Sequence, residues 1–347
     1  MGRKPSDRPT SFDIAYRAGV SQPTVSRALR GDKSVSLATR ERIEKIAREL
    51  NYTVDKNASS LRSQRSNTIA LLFFEDLTSD EGTINPFFLS MLGSITRASA
   101  NRGLDLLISF QRMEDDWHTR YHDSHRADGL ILLGYGDYEI YKRRLEDLVS
   151  QGTHFVRWGA TGGENIGPTV GSDNIGAGYQ AGRHLIEIGR RNIAFLGRAD
   201  ASYPEFSDRY HGLCKAMREA GIEPDDALRR DALTTEGDGI AATRQLVESG
   251  CEFDAIFAAS DLIAIGARQV LAEVGRRVPE DVALIGFDDI PAAAQSNPPL
   301  STMMQDMKGA GDMLLDVLTE AIEGGEPEGR QLPARLVVRE STVGHDG

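Results

Sequence analysis

TSFDIAYRAGVSQPTVSRAL, Thr10 to Leu29, reads as two short helices around a tight turn. Thr10 with Asp13 three residues on is a capping box, which satisfies the N–H groups that a helix start leaves orphaned. Ile14, Ala15 and Ala18 then share one face at helical spacing. Gly19 ends the helix, because a left-handed residue is cheapest as glycine. Val20 plugs the gap between the helices, Ser21 caps the second, and Pro23 falls in its first turn, where a missing N–H costs nothing. Val25, Ala28 and Leu29 face inward, leaving Gln22, Thr24, Ser26 and Arg27 outside. A polar face bearing an amide and a guanidinium suits a DNA major groove. The stretch is a helix-turn-helix, and the chain reads as a DNA-binding regulator.

The charge supports this once it is divided. Over 347 residues the net charge is −12, yet residues 1–66 carry 14 Lys+Arg against 7 Asp+Glu while the remainder carries 26 against 45. The basic footprint is confined to the first fifth of the chain, and the acidic body would be repelled by DNA. Cys214 and Cys251 have no metal-like spacing and suit a reducing cytosol without disulfides. MGRKPSDRPT has no apolar run, and no stretch is long enough to span a membrane, so a cytoplasmic protein is expected.

Working outward, Arg30–Val35 is a loop and Ser36–Leu50 a third helix with Ile43, Ile46, Ala47 and Leu50 as its stripe. Asn57–Arg62 can form a helix but is too polar to pack alone, and Ser63–Asn67 is a linker. Beyond it, strands at Thr68–Phe74, Leu104–Phe110, Gly129–Leu133, His154–Trp158, Asn192–Leu196, Ala255–Ala258 and Val282–Phe287 alternate with helices. The helices are Pro86–Asn101, Tyr138–Ser150, Ile175–Ile188, Pro204–Ala220, Gly237–Glu248 and Asp261–Val274. That alternation predicts parallel sheets wound on both faces, and two such sets predict two α/β lobes with ligand between them.

The run through GVSQPTVSRAL, VSLATRERI, LNY and ASSLR into SNTIALLF closely resembles the LacI/GalR family of bacterial transcriptional repressors. The match continues through INPFF at 84–88, ADGLIL at 127–132, SDNIGAGYQAGRHLIEIGRRNIAFLG at 172–197 and DRYHGL at 208–213. It goes on through ASDLIAIGA at 259–267, VALIGFDDIP at 282–291 and NPPLSTMMQD at 297–306. The resemblance implies an all-α three-helix head over 1–55, a hinge helix and linker over 56–67, and an effector-binding and dimerisation body over 68–347. That body would be periplasmic-binding-protein-like, its chain crossing between lobes near 165, 298 and 325. Lobe 1 would hold about 68–165 and 298–325, and lobe 2 about 166–297 and 326–347.

In the head the resemblance places Gln22 and Pro23 at operator-reading positions and Arg27 at a further base contact. Glutamine can pair with adenine and arginine with guanine O6 and N7, whereas Pro23 offers only apolar contact. Thr10, Ser21, Thr24 and Ser26 are better phosphate partners than readers. In the hinge, the Leu matching Leu61 wedges into the minor groove and kinks the duplex, flanked here by Ala58 and Arg62, with Asn57 a further DNA-binding residue. For the effector, Arg209 and Asp288 come first, facing across a cleft as donor and acceptor for a sugar. Ser260 stands where many members have Asn, and Asp76, Phe87, Trp158 and Met307 are secondary candidates. Residues 77–84, LTSDEGTI, lengthen the loop before NPFF relative to the usual pattern. The resemblance further implies a homodimer using the helix that begins Pro86–Phe88. RESTVGHDG carries no leucine heptads, so no tetramer-forming coiled coil is expected.

Two other patterns occur in the chain. Gly176-x-Gly178-x-x-Ala181, with Asp200 some twenty residues on, superficially matches a dinucleotide fingerprint, but Asp173-Asn174 intervenes between strand and glycines. His118, His122 and His125 with Asp115, Asp116 and Asp123 could suggest a metal, but so charged a segment reads as a solvated helix face. No nucleophile–base arrangement appears, so neither enzyme nor cofactor is expected. A transport binding protein would lack the head. The expectation is a repressor of a carbohydrate operon released by a sugar inducer. The alternative is a regulator answering to a purine or other small-metabolite co-repressor.

Overall fold

The structure is a computed structural model that describes residues 9–29, 31–52, 65–74, 84–111, 115–134, 137–162 and 165–343. The chain divides into two units between Ser66 and Asn67. In the first, α1 (Ser11–Ala18), α2 (Gln22–Leu29) and α3 (Leu37–Glu49) close on Ile14, Ala15, Ala18, Val25, Ala28, Val35, Ile43 and Ala47. Asp13 accepts from the Thr10 backbone N–H at 2.7 Å and from its hydroxyl at 2.8 Å, so the helix begins where the capping residues put it. Gly19 is left-handed with φ 62°, and its N–H closes the helix end. The hinge residues Asn57, Ala58, Leu61 and Arg62, together with Asp76 and the 77–83 loop, lie outside the described residues.

The second unit contains two six-stranded sheets. The first has the order β11–β5–β4–β3–β1–β2, with β1 Thr68–Phe74, β2 Asp105–Gln111, β3 Gly129–Leu133, β4 Phe155–Trp158, β5 Thr169–Ser172 and β11 Arg330–Leu332. All its pairings are parallel. The second has the order β12–β10–β9–β8–β6–β7, with β6 Ile193–Leu196, β7 Arg229–Arg230, β8 Ala255–Ala258, β9 Ala283–Asp288, β10 Ser301–Gln305 and β12 Ala334–Val337. Only β10–β12 is antiparallel there. The helices are α4 (Pro86–Asn101), α5 (Tyr138–Ser150), α6 (Asn174–Glu187), α7 (Pro204–Glu219), α8 (Glu236–Glu248), α9 (Asp261–Glu273), α10 (Pro291–Gln295), α11 (Met307–Ile322) and α12 (Glu340–Val343). Ile69, Leu71 and Phe73 point to one core and Ala70 and Leu72 to another, so β1 is apolar throughout because both faces are covered.

The crossings differ from the expected ones. β5 stays with the first sheet, β10 with the second and β11 with the first, so the chain changes lobe at 172–173, 305–306 and 332–333 rather than near 165, 298 and 325. Each crossing follows a strand, which completes its ladder in the lobe it is leaving. The crossing residues therefore sit at strand carboxyl ends, and Asp173 N–H donates to the Leu332 carbonyl at 2.8 Å, tying two crossings together.

The histidine-rich segment also departs from expectation. His118–Asp123 is a π-helical turn, and its flanking Trp117 and internal Tyr121 are fully buried against Leu130, Leu132, Tyr141 and Leu145. The aromatic payload, invisible to a charge count, pulls the turn into the core. No helix among the described residues is long and apolar enough to cross a membrane.

Candidate effector cleft and DNA-reading face

On α2, Ser21, Pro23 and Arg27 are exposed and Gln22, Thr24 and Ser26 half-buried. The Gln22 amide donates to Ser11 Oγ at 3.1 Å, which orients its side chain from α1, and Ser21 and Thr24 share a hydroxyl bond of 2.8 Å. Phe12 and Tyr16 on α1 are 71 % and 90 % exposed, aromatic surface that the inward-facing pattern did not signal.

In the body, Arg209 and Asp288 lie at 1 % and 5 % exposure. Both belong to the second lobe, one on α7 and the other ending β9, so they do not face each other across the cleft as expected. Arg209 Nε donates to Asn174 Oδ1 at 2.9 Å, its Nη1 donates to the Ala259 carbonyl, and the guanidinium lies 3.5 Å from the Phe287 ring centroid. Those bonds use two of its five donors. Such a planar cation, stacked and already oriented, is suited to bidentate ligand contact.

Asp288 has φ 114° and Asp289 φ 56°, a conformation that costs a non-glycine residue of order 1 kcal/mol or more. It is held from both sides: Arg339 pairs with Asp289 at 2.7 Å, and Asp261 accepts from Ile290 N–H at 2.8 Å and from the Thr302 hydroxyl at 2.6 Å. Burial raises the Asp288 carboxyl to about 7, opposed by Arg209 and by the Gln305 hydrogen bond. Burial, followed by the neighbouring Asp288, pushes Asp261 well above the carboxylate range.

Ser172, which ends β5 of the first lobe, reaches this site through Gln305, which ends β10 of the second. The Gln305 amide donates to Asp288 Oδ1 at 2.7 Å and its carbonyl accepts from Ser172 Oγ at 2.5 Å. Elsewhere, Ala160 N–H donates to Glu205 Oε1 at 2.9 Å, and Tyr138 N–H to the Ser202 carbonyl at 2.9 Å. These bonds clasp lobe to lobe. Asp208, one turn from Glu205, is raised to about 6 by burial and then by Glu205.

The remaining candidates divide. Ser260 is buried as the N-cap of α9, where its oxygen accepts from Ile263 N–H and its proton can still be donated. Trp158 ends β4 at 5 % exposure, its ring centroid 6.2 Å from that of Phe87, which at 1 % is a core residue. Met307 starts α11, half-buried. Sequence reasoning missed Gln305, Ser172, Asn174, Glu205 and Asp208. The one available signal for Gln305 was the Met303-Met304 pair closing on an amide just before the Asp306 helix cap.

The glycines of the dinucleotide-like pattern serve structure. The Asp173 carboxylate accepts from Gly176 N–H at 2.8 Å and so holds the helix start where a pyrophosphate would sit. Gly178 is small for packing: a Cβ there would come within 2.1 Å of the Arg209 carbonyl oxygen.

Comparison with known proteins agrees with this architecture. Residues 12–55 match bacterial regulatory proteins of the lacI family, and residues 183–342 match the periplasmic binding protein-like domain. The chain is 34 % identical over 340 residues to the HTH-type transcriptional regulator CelR of Thermobifida fusca, covering 96 % of this chain and 98 % of that one. A solved CelR–cellobiose complex superposes with a TM-score of 0.70 at 32 % identity, covering 96 % of this chain and all of the other. The lac repressor dimer bound to operator and the anti-inducer ONPF superposes at 0.79 and 24 % identity, a likeness of fold, over 97 % of this chain and 99 % of that one.

Proposed function

The chain belongs to the lacI family of bacterial regulatory proteins, DNA-binding transcriptional regulators with a small-molecule effector, and within it we propose a repressor of a carbohydrate-utilisation operon that a sugar releases from its operator. Residues 1–55 read the operator, 56–67 form the hinge, and 68–347 bind effector and dimerise in the cytoplasm. Supporting the sugar is one arrangement: the acceptor Asp288 beside the stacked donor Arg209, joined through Gln305 to Ser172 of the other lobe. Convergent donors and acceptors at strand carboxyl ends suit a polyhydroxylated ligand. Similarity to the cellobiose-bound regulator makes a β-linked glucose disaccharide the first ligand to try.

In this mechanism a homodimer sets two heads on a near-palindromic operator with Leu61 wedges at its centre. Leu89 on α4, and Ile108 and Phe110 on the edge strand β2, are exposed apolar residues available to the dimer interface. Ligand contacts to both lobes change their closure, shift that interface and separate the hinges. Coupling is reciprocal, so operator DNA weakens sugar binding by the same factor.

The test is fluorescence-anisotropy binding to a near-palindromic operator at fixed salt, with a panel of sugars that includes cellobiose. Tenfold weakening by one sugar, about 1.4 kcal/mol of coupling, names the inducer. Tightening by a purine with no sugar effect transfers control to a co-repressor. Equal affinity for random duplex defeats the reading.

A further inference from the structure

We propose that His118, His122 and Asp123 form a binding site for a divalent transition-metal ion of the zinc class on the first lobe, away from the effector cleft. One ligand atom from each residue lies within 4.8 Å of the others. Asp123 Oδ1 is 3.0 Å from His118 Nε2 and 3.6 Å from His122 Nδ1. Ligand atoms of a tetrahedral zinc with bonds near 2.1 Å stand about 3.4 Å apart, so the two separations from Asp123 bracket that spacing, and the set as a whole, within 4.8 Å, closes onto an ion by a small movement of the histidine rings.

Three further features favour a metal over a plain hydrogen-bonded strut. The other ring nitrogen of His118, Nδ1, meets Thr153 Oγ1 at 2.6 Å, so the hydroxyl can accept from Nδ1–H and leave Nε2 as a lone-pair donor. Second-shell bonding of this kind fixes the tautomer of metal-ligating histidines. His122 Nδ1 is buried yet has no hydrogen-bond partner among the described residues, a cost that an ion on its lone pair would remove. Finally, the residues lie on a π-helical turn. Such turns recur at functional sites, and here the His118 and His122 rings stack with centroids 4.8 Å apart, so a small turn of one ring is needed to aim both nitrogens at one ion. His154 stands edge-on to His122 at 5.8 Å and closes one side.

Two imidazoles and one carboxylate select zinc, cobalt, nickel or copper over magnesium or calcium, which take oxygen. The half-exposed Asp123 leaves a coordination position for water. The cluster sits beside Thr153 and His154, just before β4, and so at the end of the sheet opposite the cleft. His154 Nδ1 meets the Asp128 carbonyl at 3.3 Å, and the Asp128 carboxylate accepts from the N–H of Asn67, the first residue of the body. A bound ion would therefore brace the segment that receives the chain from the DNA-binding head.

The test uses full-length protein stripped with chelator and titrated with Co2+ by optical absorption, then with Zn2+ by calorimetry. About one ion per chain is expected, with the intense visible bands of four-coordinate cobalt. His122→Ala and Asp123→Asn, both at partly exposed positions, should each weaken binding at least tenfold while thermal melts stay cooperative. His125→Ala should bind as the parent does. Absence of saturable binding, or unchanged affinity in both ligand variants, overturns the site.

Discussion

Gln305 donates to Asp288 at 2.7 Å while its own carbonyl receives the Ser172 hydroxyl, so one buried amide joins the acceptor of the second lobe to the sheet of the first. Replacing it by Leu fills the volume but strands a carboxylate and a hydroxyl. Each stranded group costs about 1–3 kcal/mol. We expect Gln305→Leu to lower stability in urea by about 2–6 kcal/mol, the cost of the two groups together. It should weaken effector-induced operator release more than operator binding itself. Unchanged induction would mean that the amide is structural only.

The raised Asp288 carboxyl has a signed consequence. Its folded value near 7 lies above the unfolded value, about 4, so the folded chain holds an extra proton between them. Stability is therefore fullest below about pH 4 and is lost as pH rises toward 7, by at most about 1.4 kcal/mol per pH unit. Asp261, also raised, slopes the same way. Urea unfolding between pH 5 and 8 should show a shallower decline in Asp288→Asn, with Asp261 supplying the remainder. Sugar hydroxyls donate to the charged form, so effector affinity should rise through pH 7 in the parent and stay flat in the variant.

The head was legible because each of its rules is local: a capping box, a left-handed glycine and apolar stripes of three, three and four residues. The strands β1, β3 and β8 were equally plain as continuous apolar runs. β5 (TVGS) and β10 (STMMQ) were not, since their hydroxyl and glycine content hides strands whose burial comes from distant partners. Missing them displaced the lobe crossings and hid Ser172 and Gln305, which stand at those strand ends. Arg209 and Asp288 came from resemblance; that Arg209 is held by Asn174 and Phe287 is a tertiary fact no spacing reports.

The α6–α7 contact should be intolerant of a single methyl group. A Cβ on Gly178 would lie 2.1 Å from the Arg209 carbonyl oxygen and one on Gly212 2.1 Å from that of Ile175. Both obstacles are backbone and cannot swing aside. Gly178→Ala should cost about 1–3 kcal/mol in denaturant and, by shifting Arg209, reduce sugar affinity. Gly237→Ala, whose new Cβ meets nothing closer than 3.8 Å, should be neutral or slightly stabilising. Equal melting of the two variants would show that the helices separate easily, and that Arg209 is not positioned by their contact.

Arg27 and Gln22 separate reading from docking. Arg27 is exposed on the last turn of α2, free of the constraint that ties the Gln22 amide to Ser11. A bidentate arginine–guanine contact is worth about 1–3 kcal/mol of discrimination. Arg27→Ala should lose that much on the operator, much less on random duplex, and relax preference at one base position. Ser26→Ala should weaken both duplexes alike. Gln22→Ala should alter preference at a different base, and Ser11→Ala should reproduce part of that change by freeing the amide. All four are compared at one salt concentration, because the basic head binds any duplex more tightly as salt falls. Were Arg27→Ala to lose equal affinity on operator and random DNA, Arg27 would be a phosphate contact and the base reading would rest on Gln22 and its neighbours alone.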